Sequence, residues 1–302
     1  MSQPMPVLDR MLRRSQGVPP DDLVSAWSAV KVRADVASDM YWQSPKEHWH
    51  RDRDYPPMRL PYPAIWVEWN QPYEWNSNGK TVYAKDGGNI AEFGPPLAAL
   101  MSEVEIPPNR KLKLSMLGSL PETVTFPEAA AHAFTVAPYG LRDGKLITFP
   151  AAIIVMVDEQ GMQIREPMYC IPGSPQDAQT TMQVLHSLCA PSLLAVGLMN
   201  CKNVTTDQAS VPIGPRVRRK HPKRDEIQYH TIVVPGHQTG GNNPTGVDRP
   251  TAMHRVRGHF KTFTPEAPLM GQHVGTYWWG WQVRGSKDNG VVVSDYKIGA
   301  AS

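Results

Sequence analysis

Apolar residues recur at helical spacing in two stretches of this chain and tend to alternate in the others. In VPPDDLVSAWSAVKVRADVA, residues Leu23, Trp27, Val30 and Ala34 fall on one helical face, which predicts a helix over 18–37 packed on a core. Pro20 suits a first helical turn, and Asp21 and Asp22 suit its positive end. Residues 1–17 read as a polar, mobile lead-in. The second helical stretch is GSPQDAQTTMQVLHSLCAPSLLAVGLMN. Ser174 serves as N-cap, Pro175 fits the first turn, and Met182, Leu185 and Cys189 line an apolar side. Proline lacks the N–H that a helix interior needs, so Pro191 is expected to break or kink this helix before a second apolar turn.

Strand signals fill much of the rest. AIWVEWN (64–70) is β-rich, and KTVYAKDGGN reads as a strand ending in a turn. AHAFTVAPYG, KLITFPAAIIVMVDEQG and MQIREPMYCIPG read as consecutive antiparallel strands separated by glycine-containing turns. IQYHTIVVPG, MHRVRGHFKTF, TYWWGWQVRG and VVVSDYKI read as further strands. YWQSPKEHWHRDRDYPPMRLPYP reads as a loop, and the proline-rich stretch 94–127 as connecting structure with one short helix. The sum is an α+β chain with mixed, mostly antiparallel sheets, two main helices and long Pro-rich loops. The thirty prolines and twenty-three glycines agree with few long helices.

The balance of 41% hydrophobic and 20% charged residues is that of a globular chain able to bury a sizeable core. No run approaches the roughly 20 apolar residues of a membrane span, and the N-terminus has no apolar signal core. The cytoplasm is therefore the expected location, the host's if the gene is phage-borne. Charge adds what the total of +3 conceals. Residues 1–201 carry seventeen basic and twenty-one acidic side chains, whereas 202–302 carry fourteen and seven. The expected division is an acidic N-terminal region, 1–203, and a basic β-rich region, 204–302, packed as one unit. Such asymmetry points to an acidic partner for the second region.

Three cysteines, Cys170, Cys189 and Cys201, with no CxxC pair read as buried thiols and give neither a disulfide framework nor a thiolate metal site. His48 and His50 form an HxH pair without an evident third ligand, and His186 reads as a packed helix residue. Glu68, between Trp66 and Trp69, is a carboxylate that indoles could desolvate into a general acid, or one that simply meets solvent or an arginine. No cofactor and no metal is expected.

Two segments carry a resemblance. LPYPAIWVEW near the start and HRVRGHF with YWWGWQVRG near the end resemble a family of phage, prophage and proteobacterial proteins. Its members carry an early WxEW-type segment and a late HxxRGH[FW] segment. The matching residues are Trp66, Glu68, Trp69, His254, Arg257, Gly258, His259 and Phe260, in segments toward the two ends of the chain. The resemblance implies a phage or mobile-element context and no particular activity.

The late segment concentrates chemistry. As one strand, HRVRGHFKTF places His254 on one face and Arg255, Arg257 and His259 on the other, unless a bulge at Gly258 brings His254 round. In the neighbouring strand Tyr277 and Trp279 share a face that Trp278 does not. Three readings follow. Nucleic-acid binding, to RNA or DNA, would use Arg216, Arg218, Arg219, Lys220, Lys223, Arg224, Arg255 and Lys261 on phosphates and Trp278 and Trp279 for stacking. Metal-independent RNA cleavage of toxin type would use His254 and His259 with Tyr277 as proton carriers and Arg257 on the phosphate. An assembly role, with a protein partner or self-association, would use the tryptophans as a contact. A metal at His254, His259 and His273 with Asp248 fits no compact spacing, and the arginines would repel it.

Overall fold

The computed structural model describes residues 5–13, 20–43, 56–70, 73–75, 81–83, 96–112, 123–142, 144–149, 152–164, 168–170, 175–212, 226–234, 252–256, 259–279, 282–284 and 286–291. Helix α1 (Pro6–Arg13) comes first, where average polarity predicts a mobile lead-in. Val7, Leu8, Met11 and Leu12 form one fully apolar stripe, all at most 1% exposed, and Asp9, Arg10 and Arg13 interrupt it in sequence only. The helix expected over 18–37 is three elements. Helix α2 (Pro20–Ser28) ends, strand β1 (Val30–Arg33) follows, and helix α3 (Asp35–Gln43) begins after it. Val30 and Val32 are β-branched and sit in a strand with a partner on each side, so sheet pairing overrides a helical pattern of apolar residues.

Strand β2 (Ala64–Asn70) coincides with AIWVEWN. Strands β3 (Tyr73–Trp75) and β4 (Thr81–Tyr83) pair with each other. Strand β5 (Pro96–Val104) lies in the stretch expected to be connecting structure. Its one proline stands at its first position, where no ladder bond is interrupted. Strands β6 (Lys111–Leu112) and β7 (Val124–Thr125) form a second small pair. Strands β8 (His132–Arg142), β9 (Lys145–Thr148), β10 (Ala152–Val157) and β11 (Met168–Cys170) are the antiparallel run that the alternation predicts. Helix α4 (Pro175–Met199) continues through Pro191 without a break. Leu185, Cys189, Leu193 and Val196 bury one side before and after the proline, and that packing offsets the missing hydrogen bond. Strands β12 (Thr205–Pro212), β13 (Glu226–Val233), β14 (Ala252–Val256), β15 (His259–Phe263), β16 (Gly275–Trp279), β17 (Gln282–Arg284) and β18 (Ser286–Val291) complete the chain.

The main sheet runs β11-β10-β8-β5-β2-β1-β13-β12, with β9 beside β8. Strand β1 is parallel to β2 and β13, and the other pairs are antiparallel. The fold is therefore α+β with a mixed, mostly antiparallel sheet. The described residues hold four helices, where two are expected. Helices α1 and α2 cover one face, in a cluster with Trp66, Ala98, Leu100, Tyr139 and Ile227. Helices α3 and α4 pack on each other, and α4 lies against β2, β5, β8 and β13. Residues Ile65 to Trp69 of β2 are accordingly buried on both sides.

Two compact units emerge, Met1–Val233 and Val234–Ser302. The first extends past residue 203 because β12 and β13 pair into the main sheet. The basic run 216–224 thus falls within the span of the first unit. No helix among the described residues is long and apolar enough to cross a membrane.

Candidate nucleic-acid interface

The sheet face under α1 and α2 carries three buried charged residues, Glu68, Arg33 and Lys31, two of them placed at helix ends. Glu68 is wholly buried. Its carboxylate accepts hydrogen bonds from the Val7 N–H (2.8 Å) and Leu8 N–H (3.2 Å) in the first turn of α1, and from the Trp66 indole N–H (3.0 Å). The Arg33 guanidinium, in register with Glu68 across the parallel pair, stands 4.0 Å away and makes two hydrogen bonds to Asp35. Lys31, one dipeptide earlier on β1, donates from Nζ to the Trp27 and Ala29 carbonyls at the end of α2. An anion thus meets the positive end of α1 and a cation the negative end of α2. Burial pushes the Glu68 carboxyl up to about 7, while the indole, the two backbone N–H groups and Arg33 pull the other way. Its partners are the protein's own donors. The geometry describes a structural anchor, and the raised acid that the flanking tryptophans suggest belongs to the helix–sheet junction.

The described strands of the second unit form two small sheets, β17-β14-β18 and β15-β16. Strand β14 pairs with β17 through His254↔Arg284, Arg255↔Val283 and Val256↔Gln282. Strand β15 pairs with β16 through His259↔Trp279, Phe260↔Trp278, Lys261↔Tyr277, Thr262↔Thr276 and Phe263↔Gly275. Within β15, positions 259, 261 and 263 fall on one face and positions 260 and 262 on the other.

The two faces of β15–β16 differ. On one, Trp278 (6% exposed) packs on Phe260 with ring centroids 4.8 Å apart, Thr276 is buried, and the Thr262 and Thr276 hydroxyls are 2.9 Å apart. On the other, Phe263 meets both Tyr277 and Trp279 with centroids 5.8 Å apart, and all three rings are half-buried. The exposed Lys261 ammonium lies 4.9 Å from the Phe263 centroid and 5.7 Å from that of Trp279. The open face therefore holds three aromatic rings, with one cation over two of them.

The expected site residues separate accordingly. Lys261, Tyr277 and Trp279 share the open face. Trp278, expected beside Trp279 as a stacking surface, is a core residue, because alternation turns it inward. Phe263 joins the face although sequence reading passed over it; its two-residue spacing from Lys261 was the available signal. His254 and Arg255 lie in β14 and His259 in β15, strands of two separate small sheets, and the convergence of His254 on His259 turns on Gly258, outside the described residues. Arg257 and Gly258, the run Arg216, Arg218, Arg219, Lys220, Lys223 and Arg224, and His48, His50 and Asp248 lie outside the described residues. His273 is exposed in the β15–β16 connection, bridged to Leu269. Among the described residues no group of three His, Cys, Asp or Glu side chains is placed to hold a metal ion. Cys189 and Cys201 are free and buried, and burial raises both thiols.

No protein-family model matches the chain, nor does any curated protein or solved structure.

Proposed function

We propose that this is a nucleic-acid-binding protein of phage or mobile-element type, and that its C-terminal unit carries the binding surface. The observation behind the reading is the open face of β15–β16, where Lys261 stands among Phe263, Tyr277 and Trp279. A cation beside half-buried rings suits a ligand that is anionic along its backbone and flat along its bases. The span 234–302 carries seven basic and four acidic side chains, which favours an anionic ligand over a cationic one. The cleavage reading needs two proton carriers at one phosphate, and its His254 and His259 stand in two separate small sheets. The test is fluorescence anisotropy of the full chain with labelled mixed-sequence RNA and DNA at low salt. Binding is expected, and Lys261→Glu should weaken it. Absence of binding to every probe at low salt would overturn the proposal.

A further inference from the structure

Resting on that reading, we infer that the open face of β15–β16 takes unpaired bases, so that the ligand is a single strand and not a duplex. In a duplex the flat faces of the bases are covered by their neighbours, and a protein meets only base edges and phosphates. Recognition of edges needs hydrogen-bonding side chains in a groove-sized projection. The open face offers something else: ring surface, from Phe263, Tyr277 and Trp279, with a single ammonium among them. Rings of this kind are useful to a base that can lie on them, and every unpaired base has such a surface.

The spacing along β15 agrees. Positions 259, 261 and 263 share one face of the strand. Neighbouring positions on a face lie two residues apart, about 6.8 Å along a strand, which is comparable to one nucleotide of an extended single strand. The described aromatic positions across the ladder are Trp279 opposite His259 and Tyr277 opposite Lys261. A strand laid along β15 would thus bring a phosphate to Lys261 and its bases over Tyr277 and Trp279. The Lys261 ammonium, held by the rings in the free protein, would turn to a phosphate and leave the ring faces to the bases. A merely acidic polypeptide would satisfy Lys261 and leave the rings without a partner.

The experiment compares four probes on the full chain at one low salt concentration: oligouridylate, its duplex with oligoadenylate, an abasic strand of equal length, and polyglutamate. Oligouridylate should bind at least roughly tenfold more tightly than the abasic strand and the duplex, and polyglutamate should compete poorly. Trp279→Ala should lower oligouridylate affinity roughly tenfold while leaving abasic binding unchanged, and Trp279→Phe should restore most of the loss. Equal binding of the duplex, the abasic strand or polyglutamate would overturn the inference and leave a purely electrostatic surface. No binding of any nucleic acid would instead remove the reading on which it rests.

Discussion

The Glu68 carboxylate, in the middle of the sheet, accepts the backbone N–H of Val7 at 2.8 Å, sixty-one residues away in sequence. That bond, with its neighbours from Leu8 and Trp66, fastens the first turn of α1 to the strand beneath it. Glu68→Ala removes the acceptor from three buried donors at once. Each orphaned donor costs about 1–3 kcal/mol, and the costs do not simply add, so a loss of about 3 kcal/mol or more is expected. Urea denaturation measures it, and a change below about 1 kcal/mol would show that water or a rearrangement replaces the carboxylate.

The same residue gives stability a pH dependence. The unfolded chain ionises Glu68 near its ordinary 4.5, whereas burial in the folded chain holds the proton up to about 7. Between those values the folded state binds more protons. This contribution is therefore full below about 4.5 and is lost as pH rises to about 7, by about 3 kcal/mol in all. Glu68→Gln cannot ionise, so denaturation midpoints across pH 5 to 8 should fall less steeply in the variant than in the parent. Parallel curves would contradict the assignment.

Gly197 in α4 is the point where the loop at Pro56 crosses the helix, and a Cβ there would overlap the Pro56 ring. Asn200 fixes the same crossing by donating from Nδ2 to the Pro57 and Arg59 carbonyls. Gly197→Ala should cost about 1–3 kcal/mol through overpacking, despite alanine's better helix propensity. A thermal melt that moved upward would mean that the loop yields.

Trp278 and Trp279 are adjacent in sequence and opposite in role. Trp278→Ala empties a buried site against Phe260 and should cost the second unit about 3–5 kcal/mol. Trp279→Ala, on the open face, should leave the melt within about 1 kcal/mol and reduce oligonucleotide affinity. Melting and binding measured on both variants separate the two, and the reverse pattern would exchange the faces of the ladder.

Much of this was legible in the sequence where one strand's own alternation decides the outcome. AIWVEWN is β2 residue for residue, and the inward Trp278 beside the outward Tyr277 and Trp279 follows from parity alone. What stayed hidden depends on partners far along the chain. The four residues of β1 are strand because β2 and β13 flank them, and their apolar spacing also fits a helix. The stripe of α1 is masked by interleaved charges, and its anchor on Glu68 has no local signature. Pro191 and the prolines before β5 mark where backbone bonds are missing but not whether packing makes up for them.

The central claim is that the second unit meets a polyanion through few, identifiable cations on an aromatic face. Its most direct test is a salt titration of the full chain with a labelled single-stranded oligonucleotide, repeated with Lys261→Ala. The logarithm of affinity should fall linearly with the logarithm of salt concentration, with a slope reporting several phosphate contacts, and Lys261→Ala should make that slope shallower by about 0.7. Affinity that is independent of salt, or a slope that Lys261→Ala leaves unchanged, would contradict the account.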